Sequence, residues 1–470
     1  MLKLYNTLTK HVDPFHKKPG DSVTVYCCGP TVYDYAQIGN FRTYVTTDIL
    51  VRTLTYLGYQ VKFAMNITDV GHLTSDSDTG DDKMEKGAKR EGKTAWDIAK
   101  FYTDAFLADS KSLNLIEPDA RPKPTQFIES QIRMVQTLLD KGYAYCIDDG
   151  IYFDTQKSNN YGVLTGQNRD ELMAGARVEP NPDKRNPTDF ALWKFSPNPS
   201  ADGKKRDMEW ESPWGVGFPG WHIECSAMSM DVLQTNQLDI HTGGMDLIPI
   251  HHTNEIAQSE AASGVVPFVH FWVHGQFLTV DGEKMSKSKH NFYRITDVTA
   301  KGFDPLALRY FYFTAHYRQY VNFTWEGIEA SQRALTTLRT AFQQLHPDST
   351  KTVSEDAIRL KEAFRDVLED DMNMPKAVAV VWEVVKSKIS DSEKQNLLSD
   401  FDRVLGLDID KSISVSVDVI PNDISQLVAK REACRKNKSF TEADELRKSI
   451  EDKGYLLKDT SSGVRVTKKA

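Results

Sequence analysis

Ser22-Val23-Thr24-Val25-Tyr26-Cys27-Cys28-Gly29-Pro30 decides how the rest of this 470-residue chain is organised. Residues 22–28 are short, apolar and β-branched, which reads as a strand, and Gly29-Pro30 starts a loop. Over residues 40–57, Tyr44, Thr47, Leu50, Val51 and Leu54 recur on one face at helical spacing, and Gly58 is placed to cap the C-terminus. Residues 59–67 read as the next strand. Strand, helix, strand is a βαβ unit, hence a parallel sheet with a right-handed crossover. Ligands of such sheets sit at the carboxyl ends of the strands, where Cys28, Gln37, Asn40 and Thr68 all fall.

Outward from this unit, residues 69–90 are polar and charged and read as a mobile loop. Residues 94–114 and 125–141 read as helices, the second with Ile128, Ile132, Val135 and Leu139 as its stripe. Residues 143–154 carry a hairpin signal with Asp149-Gly150 at the turn. Residues 159–220 are dense in Gly, Pro and Asn. This divides the chain into a first sheet half (1–110), an insertion (111–220) and a second half (221–325). In the second half, Asp239-Ile240-His241-Thr242-Gly243-Gly244 is a strand end running into a glycine turn. Residues 251–262 follow as a helix, 265–280 as an apolar stretch, and Asp304-Pro305 opens another helix. A helical bundle (326–405), a linker (406–422) and a module of two short helices with a loose end (423–470) complete the expected order.

Composition is ordinary globular, 40% apolar and 26% charged. No apolar run approaches the ~18 residues of a membrane helix, and the first residues lack a secretory h-region. Five cysteines, an odd number, argue against a disulfide framework and for a reducing, cytoplasmic setting. The net charge of −8 is unevenly spread: residues 425–470 hold 12 Lys/Arg against 7 Asp/Glu, a net of +5, which leaves −13 on the remainder. A basic tail on an acidic body suits either an RNA-binding footprint or a solvated helical tail.

Two stretches suggest chemistry. Lys284-Met285-Ser286-Lys287-Ser288, in a loop after an apolar strand, puts two mobile ammonium groups where a polyphosphate could lie. Gln37-Ile38-Gly39-Asn40 begins the first crossover helix, where free backbone N–H groups and the helix dipole favour phosphate. Both resemble the signature sequences of class I aminoacyl-tRNA synthetases. Cys28-Gly29-Pro30-Thr31-Val32-Tyr33-Asp34, Gly220-Trp221-His222-Ile223-Glu224-Cys225-Ser226-Ala227-Met228 and His251-His252-Thr253-Asn254-Glu255 narrow the resemblance to the cysteinyl-tRNA synthetase family, nearly end to end. It implies an α/β fold: a doubly wound, Rossmann-like nucleotide-binding sheet with an insertion, then an all-α bundle that packs along the tRNA stem, then a small anticodon-binding helical module.

The resemblance also implies a site. His251 and Glu255, four apart on one helix, share a face; with Cys28 and Cys225 they match the family's zinc ligands, one Zn²⁺ per chain. Cys27 is the competitor for Cys28, since neighbours on a strand point to opposite faces; it reads as a small buried hydrophobe. A metal has a purpose here, because a pocket that reads only shape separates cysteine from serine poorly, and Zn²⁺ favours thiolate. No segment reads as an editing site, and none is needed. Thr68, Trp221, His241 and Asp246 are implied to line the amino-acid pocket. Lys284 and Lys287 would hold the β- and γ-phosphates of ATP, accompanied by Mg²⁺, with Gln37 and Asn40 by the α-phosphate. Arg435, Phe440 and Asp444 match positions that read anticodon bases.

Two positions depart from the family pattern: Gln37 replaces a usual His, and His290 a usual Gly. An amide donates a hydrogen bond but cannot become cationic, and His tolerates positive φ less easily than Gly. The expected partners are L-cysteine, ATP and tRNA(Cys), with no membrane, for a monomer. Two other readings stay open: a related ligase joining cysteine to an amino-sugar, and a tRNA-binding paralogue without catalysis.

Overall fold

The computed structural model describes residues 1–71, 82–166, 181–196, 206–285, 291–348, 353–411, 422–436, 439–460 and 463–468. They form two compact units, Met1–Asp410 and Lys411–Ala470. A hairpin of β1 (Lys3–Asn6) and β2 (His11–Pro14) leads into β3 (Ser22–Cys27), α1 (Ile38–Tyr56) and β4 (Gln60–Met65). Much later come β9 (Leu238–Gly244) and β10 (Val269–Gly275), and the four strands lie in the order β10-β9-β3-β4, every pair parallel. The doubly wound reading of residues 22–67 therefore holds, and β3 and β9, more than two hundred positions apart, are neighbours.

Helix α1 forms because both ends are specified locally. Gln37 and Asn40 make a capping box, with Asn40 Oδ1 accepting from the Gln37 backbone N–H at 2.9 Å. At the other end Gly58 takes φ +94°, a left-handed conformation that stops the helix. Between them Phe41, Ile49, Leu50 and Leu54 are fully or nearly fully buried, each worth about 1.5–3 kcal/mol of burial.

The reading of 69–90 as a loop needs correction. Residues 72–81 are outside those described, but α2 (Lys83–Glu91) is a helix capped by the Asp82 carboxylate, which accepts from Met84 and Glu85 N–H. Its apolar content is too sparse to show as a stripe, and the cap carries the start instead. Helices α3 (Ala95–Ser112) and α4 (Ile128–Asp140) follow as expected. The insertion is more ordered than its Gly/Pro content suggested: β5 (Ala144–Ile147), β6 (Gly150–Phe153), β7 (Phe190–Phe195) and β8 (Gly217–Pro219) make an antiparallel sheet.

Helix α5 (Trp221–Leu233) packs beside α4, and α6 (Thr253–Ser263) follows a π-turn at Ile248–His252. Strand β11 (Leu278–Val280) pairs with β12 (Glu283–Lys284) and, in parallel, with β13 (Val321–Phe323). Two short helices, α7 (Ile295–Ala300) and α8 (Pro305–Tyr312), lie between, the latter capped by Asp304 as Asp-Pro implied. The bundle is α9 (Trp325–Gln343), α10 (Glu355–Glu369), α11 (Met374–Lys386) and α12 (Asp391–Leu405). In the second unit α13 (Asn422–Lys436) and α14 (Phe440–Asp452) precede a hairpin, β14 (Tyr455–Thr460) with β15 (Gly463–Lys468). The expected loose end is thus a paired ladder over a small core of Ile424, Ile450 and Leu457. The adjacent Leu456-Leu457 and the charged residues interspersed through 455–468 leave no clean alternation in the sequence.

Candidate active site

The cavity opens at the carboxyl edge of the parallel sheet, where the wound strands diverge. It measures about 380 Å³ and is lined by Cys28, Thr68, Trp221, Cys225, Asp246 and His251 together with Gln37, Asn40 and Phe292. Both expected halves of the site, amino acid and nucleotide, thus line one space.

Strand β3 delivers its two terminal cysteines to opposite sides, as strand alternation requires. Cys27 is fully buried with its sulfur 3.5 Å from Thr47 Oγ1 of α1. Cys28 turns to the cavity. The chain then passes so close to Asn66 that a side chain at Gly29 would overlap the Asn66 carbonyl, so glycine is required there. Asn66 Oδ1 accepts from Gly29 N–H and its amide donates to Thr68 Oγ1, both at 2.9 Å. The Thr68 hydroxyl is thereby held at the cavity wall.

Cys28 Sγ stands 3.7 Å from Cys225 Sγ and 3.7 Å from Glu255 Oε1, and His251 Nε2 stands 2.9 Å from the same oxygen. All four expected ligands are buried and converge. Cys225 projects from the body of α5, and His251 lies in the π-turn rather than in α6 itself. A tetrahedral zinc with two thiolates at ~2.3 Å holds their sulfurs about 3.8 Å apart, so the sulfur pair fits such an ion. His251 Nε2 and Glu255 Oε1 meet in a charge-assisted hydrogen bond.

A fifth group competes. His252 Nε2 is 3.4 Å from Cys28 Sγ and 3.9 Å from Glu255 Oε1, and Cys28, His251, His252 and Glu255 fall within 4.8 Å of one another. Its other ring nitrogen is engaged, Nδ1 lying 2.7 Å from His274 Nε2, and His274 Nδ1 reaches Thr7 Oγ1 at 2.7 Å. We assign His252 to a supporting role because its ring is held from behind by His274; neither it nor Glu255 is on the cavity wall that Cys28, Cys225 and His251 line. His241, expected in the amino-acid pocket, is fully buried with Nε2 3.1 Å from Glu255 Oε2 and is not part of the cavity wall. It braces the carboxylate. His222, His252 and His274 were not singled out from sequence; the adjacent His251-His252 pair was the available signal.

The electrostatics are those of donors packed without solvent. Burial pushes the Cys28 thiol well up, reinforced by its contact with Cys225. The hydrogen bond from Cys28 lowers Cys225 to about 6 against the cost of burial. Burial disfavours charge on both Glu255 and His251, yet their mutual attraction prevails: the carboxylate, facing His241 and His251, falls to about 2, and His251 rises to about 10. Burial instead lowers His252, and takes His274 to about 3, so both are neutral imidazoles. A compact set of two sulfurs, an imidazole and an ionised carboxylate is the chemistry of a borderline-soft cation site.

Trp221 lies against His251, ring centroids 4.5 Å apart, and Asp246, in the single 3-10 turn that follows the Gly243-Gly244 end of β9, lines the cavity. Gln37 and Asn40 occupy the N-terminus of α1. Lys284 lies in β12, but its side chain, Lys287 and His290 are outside what is described. In the second unit Arg435, Phe440 and Asp444 are all exposed, Phe440 to 60%.

A family model described as tRNA synthetases class I (C) catalytic domain matches residues 14–333. Cysteine–tRNA ligase 1 of Burkholderia lata is 47% identical over 99% of this chain and 96% of its own length. The cysteine–tRNA ligase of Caldicellulosiruptor saccharolyticus is 40% identical over 99% of both. Among solved structures, a LeuRS from Agrobacterium radiobacter, in a ternary complex with tRNA and LeuAMS, superposes with TM-score 0.58 at 12% identity over 83% of this chain and 84% of that one. At that identity the likeness speaks to the fold.

Proposed function

We propose, for a chain that belongs to the class I cysteine–tRNA ligase family, that cysteine is selected at a zinc site of Cys28, Cys225, His251 and Glu255 and activated beside it. As a member of that family the protein is an aminoacyl-tRNA synthetase. When bound, a zinc ion supplies a Lewis acid that prefers a thiolate to a hydroxyl. The observation that carries the reading is the convergence of those four donors, of which Cys28, Cys225 and His251 line the cavity that Gln37 and Asn40 also line.

The chain's own groups perform the remaining work. Trp221 and Thr68 flank the amino acid and exclude water, and Asp246 accepts from its ammonium group. The substrate carboxylate then attacks the α-phosphate of ATP and pyrophosphate leaves. Donors at the α1 N-terminus hold the α-phosphate oxygens, while Lys284 and Lys287 neutralise the departing charge. The adenylate passes cysteine to the terminal ribose of tRNA(Cys), with Arg435, Phe440 and Asp444 as the anticodon contacts. The match to cysteine–tRNA ligases runs through the basic tail, which favours tRNA over an amino-sugar as acceptor.

Exchange of labelled pyrophosphate into ATP tests this. Cysteine should support exchange and serine should not, and Lys287→Ala should reduce it by about 100-fold with bound zinc unchanged. Equal exchange with serine would remove the proposed basis of selection.

A further inference from the structure

Arg42, two residues beyond Asn40 on α1, is 2% exposed, and among the described residues no carboxylate pairs with it. Its guanidinium spends its donors on main-chain carbonyls. Nη1 donates to Gln276 O at 2.8 Å and Phe277 O at 2.7 Å, and Nη2 to His316 O at 3.1 Å and Gln319 O at 2.5 Å. Burying an unpaired cation is costly, and burial lowers its pKa to about 10. A side chain with that cost and those partners is suited to holding two loops in register.

The loops are informative. Gln276 and Phe277 immediately precede β11, and the β11–β12 pair, the root of the lysine loop, ends on Lys284. The 316–319 turn is tied to that root by Gln276 N–H donating to Tyr317 O at 2.8 Å. From its far side the same turn is held by Asp371, which accepts from Tyr317 OH at 2.6 Å and Arg318 Nε at 2.7 Å. The other end of the lysine loop also returns to α1, where Ile38 N–H donates to Tyr293 O at 3.0 Å. Met285 Cε lies 3.7 Å from where a Cβ on Gly39 would be. Helix α1 thus carries Gln37 and Asn40 and holds the chain on both sides of the lysine stretch, at Gln276 and Phe277 before it and at Tyr293 after it.

We propose that Arg42 is a positioning residue for amino-acid activation, a strut that sets the root of the lysine loop against the N-terminus of α1. The inference rests on the reading that the 284–288 loop holds ATP phosphates. Arg42 touches no substrate; it fixes the distance between the two phosphate-binding elements. Its loss therefore weakens ATP use while the cysteine end, built on β3, α5 and the π-turn, is unaffected.

The test is a double-mutant cycle in cysteine-dependent pyrophosphate exchange. Arg42→Met should raise the KM for ATP about tenfold or more, with the KM for cysteine and bound zinc unchanged. In the Lys287→Ala background the same substitution should cost less than about twofold further, since the lysine it positions is gone. Arg42→Lys, reaching fewer carbonyls, should lie between, and it decides the matter by the same cycle if Arg42→Met does not fold. Losses that multiply, or equal rises in both KM values, would show a merely structural role and overturn the proposal. If Lys287→Ala leaves exchange intact, the reading of the loop fails and the proposal with it. If Lys287→Ala suppresses exchange but Arg42→Met leaves the KM for ATP alone, the strut alone fails.

Discussion

Cys27 and Cys28 differ by one position and by everything that surrounds them. Alternation along β3 sends the first sulfur to Thr47 beneath α1, where burial raises its pKa to about 11, and the second into the donor cluster. At Cys225 the proposed ligand set meets its sharpest rival, because His252 is also near enough to serve. Cys225→Ser should lower bound zinc from one per chain toward zero, read by elemental analysis of folded protein, because a hydroxyl is a poor zinc donor. His252→Ala should retain the metal. The opposite pattern would put His252 in the set and Cys225 outside it.

Among the elements, β9 is stitched to β3 through one carboxylate. Asp239 accepts from Thr24 N–H at 2.8 Å and Lys17 Nζ at 2.7 Å, and pairs with His16 Nε2 at 2.9 Å. Burial works against its charge, but these donors prevail and hold it at about 2, below its unfolded value near ~3.9. Its contribution is therefore complete above about pH 4 and disappears as pH falls toward 2. Discounted for solvent around its surface partners, that is about 1 kcal/mol. Asp239→Asn should lower the urea midpoint at pH 7 accordingly, with the gap closing as the two proteins are compared at successively lower pH down to 3. A gap that stays constant would mean the amide merely packs badly.

Taken as a whole, the molecule divides after Asp410, and each unit has its own buried cluster. A chain ending at residue 410 should keep cysteine-dependent pyrophosphate exchange within about threefold, because every residue lining the cavity precedes that point. Charging of tRNA(Cys) should fall by about 100-fold or more, if Arg435, Phe440 and Asp444 read the anticodon. Measuring both reactions on one preparation separates loss of RNA recognition from loss of folding.

Local physics made much of this legible from sequence. The β-branched run at 22–28, the Gly58 stop, the Asp304-Pro305 start and the four-residue step from His251 to Glu255 are each written in adjacent residues, and each matches the element or contact found. Helix α2 and the β14–β15 hairpin are not legible there, because a short charged helix and a hairpin rich in charged residues carry little apolar periodicity. What needed the folded chain was convergence across long separations: Cys225 on the body of a helix, His241 behind Glu255 rather than in the cavity, His252 backed by His274, and Arg42 on four distant carbonyls. Sequence spacing reports which face of an element a residue takes. Which other element meets that face is decided by the parallel winding of β3 and β9, a property of the assembled sheet.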